Sequence, residues 1–386
     1  MGDDSAAPLD LAAEAELSSE HVEGAPPPPV LWDGYCADPF VLRAQDGRYV
    51  MYGTAPGLLP DGRAFQTLVS DDLDTWTPVG GALVIRDEVT PGTEWWAPEV
   101  ALADGRYWMY YSRGIGDSGH QIRVASSAGP TGPFEDAGIL TVDLPFAIDP
   151  SPFQDVDGRW WLFYATDLVD GERPGTVLAV QRLRTMTELE GPPNVILRAS
   201  ADWQLYLANR FMYGGHHDWH TLEGPSVLHH AGRYWLFYSG GNWQTPGYGV
   251  AAATAAAVEG PWRELEPAGP FITSASTGLI GPGHCSLVRD ESGRIHVFLH
   301  AWTRREHAAA RTDSSSTSTG SARRRRPERA AQRHGGLSAG GPCPRRSRPA
   351  GARPGRRRGS PPPRAAPVSR GCRGPGRRGR SWTGGA

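Results

Sequence analysis

A short hairpin signature recurs along this chain and leaves few folds open to it. It reads Asp46-Gly-Arg-Tyr-Val-Met-Tyr52, Asp104-Gly-Arg-Tyr-Trp-Met-Tyr110, Asp157-Gly-Arg-Trp-Trp-Leu-Phe163, Gly232-Arg-Tyr-Trp-Leu-Phe-Tyr238 and Ser292-Gly-Arg-Ile-His-Val-Phe298. In each copy a Gly-Arg turn opens a run of aromatic and β-branched residues, the composition of a buried strand. The five glycines, Gly47, Gly105, Gly158, Gly232 and Gly293, are spaced by 58, 53, 74 and 61 residues. A unit of that length holds four strands and their loops, which is the unit of a propeller blade.

Nine residues before these glycines stand Asp38, Trp96, Asp149, Glu223 and His284. Equivalent positions of a closed repeat converge in space, so three carboxylates, a Trp and a His are expected around one channel mouth. Each has a plainer reading on its own. An Asp before Pro, as at Asp38 and Asp149, commonly caps a turn; Glu223 is more unusual, because an apolar strand follows it. The shared register favours a site. Paired carboxylates at one mouth are the equipment for glycoside hydrolysis, one serving as acid and one as base.

Between residues 30 and 306 short aromatic and Val-rich runs alternate with Gly, Asp and Pro turns, and no sustained helical period appears. The expected fold class is all-β, a five-bladed β-propeller. Residues 1–29 read as a disordered acidic and Pro-rich lead, and 30–306 as the propeller. Residues 307–386 read as a disordered tail rich in Arg, Pro, Gly and Ser. The fifth blade is expected to be incomplete, since its strand signal stops after residue 305. The segment 202–219 reads as a loop of a large third-blade insertion.

Charge divides the chain at the same point. Residues 1–306 carry about −21 and residues 307–386 about +18, so the net charge of −3 conceals two opposite halves. Lysine is absent, and Ala, Gly, Pro and Arg are abundant, as in a GC-rich gene. Two readings of the tail stand: a basic segment that contacts a polyanion, or a frame-shifted stretch that replaces the last strands of the fifth blade.

The order of five motifs sharpens the picture. Ala37-Asp38-Pro39, Trp96-Ala-Pro-Glu-Val100, Ile148-Asp149-Pro-Ser-Pro-Phe153, Glu223-Gly-Pro225 and Gly281-Pro-Gly-His284 resemble, in sequence order, glycoside hydrolase family 43. The resemblance covers roughly residues 30–303. It implies a five-bladed propeller of inverting enzymes acting on arabinofuranosyl and xylosyl linkages. It also implies Asp38 as general base, Glu223 as general acid, and Asp149 as the group that holds Glu223 and keeps its pKa high. His284 would help hold a hydrated Ca²⁺ or similar ion, and no organic cofactor is implied.

Adjacent Trp95 and Trp96 cannot both face inward, so one is expected to stack on sugar. Trp32 and Phe146, just upstream of two of the acids, are further substrate-binding candidates. Glu99 reads as structural, paired with an Arg. His216-His217-Asp218-Trp219-His220 lacks the spacing of a structural zinc site and reads as a loop shaping the pocket.

The expected activity is an exo-acting α-L-arabinofuranosidase or β-xylosidase on arabinose- or xylose-containing oligosaccharides. An endo-arabinanase and a non-catalytic carbohydrate-binding propeller are the alternatives. No nucleic-acid partner is expected unless the basic tail is genuine, and no membrane association. Cys36 and Cys285 lack framework spacing and read as free thiols. No leader-like apolar run follows Met1, which gives a cytoplasmic expectation.

Overall fold

The computed structural model describes residues 28–302, apart from 87–88, 117 and 266–268. Nearly all of the expected lead, the end of the fifth repeat and the Arg-rich tail lie outside the described residues. Within them the chain is almost wholly strand. One 3-10 turn, Asp202–Gln204, and one short helix, α1 (Ser274–Thr277), are the helical elements among the described residues.

The first sheet has β1 (Ala37–Arg43), β2 (Tyr49–Thr54), β3 (Arg63–Ser70) and β4 (Thr77–Val84) in sequence order. The second has β5 (Thr93–Ala103), β6 (Arg106–Ile115), β7 (Ser118–Ser127) and β8 (Glu135–Ile139), again in order. β9 (Ala147–Gln154), β10 (Trp160–Leu168), β11 (Gly175–Thr185) and β12 (Glu188–Leu197) make the third. β13 (Leu205–Met212) pairs with the first half of the long β14 (Gly215–His230). The second half of β14 starts the fourth sheet, followed by β15 (Arg233–Gly240), β16 (Gly249–Ala255) and β17 (Arg263–Glu264). β18 (Ile280–Arg289) and β19 (Ile295–Trp302) open the fifth.

The first strands form a closed ring: β1 touches β5, β5 touches β9, β9 touches β14, β14 touches β18, and β18 returns to β1. This is the all-β repeat architecture that the recurring Gly-Arg turns predict. One expectation changes in detail: of the segment 202–219, expected as a loop, the residues from Leu205 onward form the β13–β14 hairpin after the short turn Asp202–Gln204.

Hydrophobic burial sits between neighbouring sheets, as the two-residue side-chain period requires. Along β6, Tyr107, Met109 and Tyr111 pack toward the first sheet, while Tyr110 packs toward the third. Both faces of these strands are covered, which explains why the second strands read as continuous aromatic runs rather than alternating ones.

A local irregularity repeats in every first strand. The pairing register slips at 37–40, 96–99, 148–151, 223–226 and 283–286, a bulge in each case. At each bulge one residue takes a positive φ: Asp38 (52°), Ala97 (47°), Asp149 (57°), Gly224 (57°) and His284 (48°). Such a backbone is costly for a residue with a Cβ and persists only where surroundings hold it.

What holds it is a side chain seven residues after the repeat glycine of the preceding sheet. Ala97 N–H donates to Thr54 Oγ1 (2.8 Å), Asp149 N–H to Ser112 Oγ (3.0 Å) and His284 N–H to Ser239 Oγ (2.7 Å). Asp38 N–H donates to His300 Nδ1 (3.0 Å), which closes the circle. The third sheet has Ala165 at this position, with no polar atom to offer. Gly224 N–H donates instead to Asp149 Oδ2 (3.0 Å).

These latches give a first prediction. Ser239→Ala strands the buried N–H of His284, at a cost of about 1–3 kcal/mol. A thermal melt is expected to fall by about 2–6 °C on the usual scaling for a domain of this size; an unchanged melt would show that the latch does not hold the bulge.

Candidate active site

The bulges aim their side chains into one cavity of about 830 Å³ at the ring's centre, lined by Asp38, Asp149, Glu223 and His284 together. All four of these sequence-predicted residues are therefore brought together. Trp32, Trp96 and Phe146 line the same cavity. Trp96 stacks on His120, with ring centroids 3.7 Å apart and planes at 20°. Of the adjacent pair, Trp95 is the candidate that does not reach the cavity: successive residues of a strand face opposite ways, and Trp95 is buried in the core between the first and second sheets.

Asp38 is the most heavily partnered acid. Thr54 Oγ1 donates to Oδ2 at 2.6 Å, while His284 Nδ1 lies 3.1 Å and His300 Nδ1 3.3 Å from Oδ1. Burial alone would raise its pKa, but His284, His300 and Thr54 outweigh it and hold the carboxyl well below the usual range. Of the three acids, Asp38 is thus the one whose partners favour the carboxylate.

The other two acids go the opposite way. Burial, then the Asp38 charge, push Asp149 up to about 8 against the opposing Gly224 N–H bond. Burial, then Asp149, push Glu223 up to about 7; Tyr248 and His284 oppose this, and Asp38 adds a smaller upward push. Glu223 Oε1 accepts the hydroxyl of Tyr248 at 2.6 Å. One pocket thus keeps one carboxylate charged beside two that retain protons near neutrality, the division of labour that acid–base chemistry requires.

Glu99 is buried and does not line the cavity. It is bonded to the Ser151 hydroxyl and pushed up to about 8, by burial first and by the Asp149 charge. Its partner is a hydroxyl, not the Arg expected from sequence.

Several lining residues were not legible as such. Tyr206, Arg210, Met212 and Trp219 reach the cavity from the β13–β14 hairpin, with Arg210 stacked 4.8 Å over the Tyr206 ring. Of the 216–220 cluster, Trp219 lines this cavity, whereas His220 turns away to a small polar pocket beside Arg173. Trp243 and Trp302 stack on each other at the rim (5.6 Å, 17°). His300 and Thr54 could have been found from the position seven residues after each repeat glycine.

His284 was expected to help hold an ion. Its Nδ1 faces Asp38, which leaves Nε2, and both Asp38 oxygens are already engaged. Among the described residues no group of three His, Cys, Asp or Glu side chains is arranged to hold a metal. A Ca²⁺ ion beside His284 would draw the oxygen shell it prefers mostly from water, as the expected hydrated ion does.

A sequence model of the glycosyl hydrolases family 43 matches residues 28–319. The chain belongs to this family. It is 27% identical over 281 residues to an extracellular exo-α-(1→5)-L-arabinofuranosidase of Streptomyces avermitilis, covering 68% of this chain and 54% of that one. It is 27% identical over 274 residues to extracellular endo-α-(1→5)-L-arabinanase 2 of Bacillus subtilis, covering 56% and 54%. A thermostable family-43 glycoside hydrolase of known crystal structure superposes with a TM-score of 0.62 at 29% identity, covering 72% of this chain and 88% of that one. The family-43 chain thus spans about half the length of these two curated relatives.

Both of those relatives are named extracellular, which overturns the cytoplasmic expectation. That expectation rested only on the residues that follow Met1. Among the described residues no helix is long and apolar enough to cross a membrane.

The raised pKa of Asp149 has a sign that can be tested. Its folded value of about 8 exceeds the unfolded value of about 4. The native state therefore binds the extra proton, and stability falls as pH rises between those values. Asp149→Asn removes this term while its amide oxygen can still accept from Gly224. The variant is expected to melt higher than the parent at pH 8, by about 3 °C or more, with the gap closing toward pH 4. A gap that does not change with pH would contradict the assignment.

Proposed function

We infer that this family-43 chain is an inverting glycoside hydrolase that cleaves arabinofuranosyl bonds, with xylosyl bonds as the second substrate class. The observation that carries the reading is the unequal partnering of two acids in one cavity: Asp38 lies against the Thr54 hydroxyl and the His284 and His300 rings, whereas Glu223 is buried with the Tyr248 hydroxyl bonded to it, which favours a charged Asp38 and a protonated Glu223. Asp38 is the general base. It takes a proton from water as the water attacks the anomeric carbon. Glu223 is the general acid and protonates the departing oxygen. Asp149 touches neither event directly: its Oδ2 anchors Gly224 N–H and so fixes the backbone that carries Glu223.

Gly224 serves this arrangement through its missing side chain. At φ +57° a Cβ there would stand 3.0 Å from the His284 ring, the ring that helps keep Asp38 charged. The acid and the base are thereby set around one shared imidazole.

Exo action is supported by the β13–β14 hairpin, whose Tyr206, Arg210 and Trp219 wall one side of the cavity. A walled cavity of about 830 Å³ suits a terminal sugar more than the middle of a chain. The two relatives are named for α-(1→5)-L-arabinan chemistry, one exo and one endo, which supports arabinose as the sugar.

The test is hydrolysis of aryl α-L-arabinofuranoside, aryl β-xyloside and linear arabinan. The parent protein is expected to cleave the arabinofuranoside and to release only arabinose from the polymer. Glu223→Gln and Asp38→Asn are each expected to lose about 10²–10⁴-fold in kcat while remaining folded. Oligosaccharides among the early products would make the enzyme endo-acting; retained activity in both variants would remove the acid–base assignment.

A further inference from the structure

Tyr248 is the residue best placed to decide how Glu223 works, although nothing in the repeat singles it out. It stands at the start of the fourth sheet's third strand, just before β16, and is 1% exposed. Its hydroxyl donates to Glu223 Oε1 at 2.6 Å. Its ring lies parallel to that of His300, with centroids 5.9 Å apart and planes at 8°. His300 in turn holds the backbone and faces the carboxylate of Asp38.

The fold reserves space for this ring. Gly283 lies immediately before His284, and a Cβ at that position would come within 2.0 Å of a Tyr248 ring carbon. The Gly-Pro-Gly-His segment therefore does two things: it presents His284 to Asp38, and it leaves room for Tyr248 beside Glu223.

We propose that Tyr248 is a positioning residue that selects which oxygen of Glu223 carries the catalytic proton. This rests on the reading of Glu223 as the general acid. A phenol donates one proton, and Oε1 is the atom that accepts it. The acidic proton of Glu223 is therefore held on Oε2. In the reaction the Oε2–H bond breaks and the proton passes to the glycosidic oxygen. The bond from the anomeric carbon to that oxygen breaks, and its electron pair leaves with the departing alcohol. Water supplies the new oxygen, and its proton goes to Asp38. Glu223 becomes a carboxylate, to which the same O–H···O bond is stronger than to the neutral acid. The contact is thus tightest where negative charge develops, which accelerates the step rather than only binding substrate.

The groups facing Glu223 are Asp149 from β9, His284 from β18, Asp38 from β1 and Tyr248. Of these, the hydroxyl bonded to Glu223 itself is that of Tyr248. Removing that hydroxyl with Tyr248→Phe keeps the ring and its packing, so the effect expected is on proton delivery.

The experiment compares kcat/KM on two aryl glycosides of the sugar the parent prefers. One carries a dinitrophenyl leaving group, which departs without a proton, and one carries phenyl, which needs one. Glu223→Gln is expected to lose about 10³-fold on phenyl and far less on dinitrophenyl. Tyr248→Phe is expected to show the same selective pattern in weaker form, about 10–100-fold on phenyl and within about threefold on dinitrophenyl. An equal loss on both substrates in Tyr248→Phe, or no loss on either, would overturn the role of Tyr248. If Glu223→Gln itself lost activity equally on both substrates, the general-acid reading would fall first, and the two failures are distinguishable.

Discussion

One N–H group per sheet organises this protein. In each first strand a bulge with one residue of positive φ turns a side chain toward the central cavity, that residue's own at Asp38, Asp149 and His284 and its predecessor's at Trp96 and Glu223, and the N–H of the positive-φ residue must find a partner. A Thr, a Ser, a second Ser and a His on preceding sheets supply four of the five acceptors. Because each acceptor belongs to the sheet before, closing the ring and aiming the site residues are the same event. The fifth case is the informative one. Ala165 offers nothing, so the carboxylate of Asp149 takes over as acceptor for Gly224. A side chain from the site thereby becomes part of the frame, and the acid-bearing strand is tied to another acid.

The electrostatics follow from that geometry. Asp38 is surrounded by donors and imidazoles from β2, β18 and β19, so its charge is compensated. Asp149, Glu223 and Glu99 are buried near one another with fewer donors, so protons are the cheapest way to neutralise them. The difference is one of partners, not of residue type. The same arrangement explains why these residues work against stability: buried carboxylates and positive-φ side chains are what a purely structural ring would avoid.

Much of this was legible because the fold repeats. Asp38, Asp149 and His284 stand at the positive-φ position nine residues before their glycines, and counting alone locates them. In the second and fourth sheets the turning residue comes one later, at Ala97 and Gly224, so Trp96 and Glu223 precede it. Counting still reached the right segment, because the bulge shifts the backbone by a single residue. It could not choose between Trp95 and Trp96, whose facing depends on where the bulge falls. Tyr248 has no counterpart in the repeat and was invisible for that reason.

The β13–β14 hairpin was missed for a different reason. Strand patterns are read from apolar residues on the buried face, yet here Leu205, Leu207 and Phe211 face solvent while Tyr206, Arg210 and Met212 face the cavity. The His-rich stretch 216–220 then looked like a polar loop. A hairpin that walls a site inverts the usual burial pattern, so its sequence does not announce it.

The central claim is that Asp38 activates water while Glu223 delivers a proton, with no carboxylate attacking the sugar. The most direct measurement is the anomeric configuration of the first product, followed by proton NMR before mutarotation during hydrolysis of an aryl glycoside. A product of inverted configuration is predicted, since water attacks from the face opposite the leaving group. A product of retained configuration would require a covalent glycosyl intermediate on one of these carboxylates, and would contradict the account.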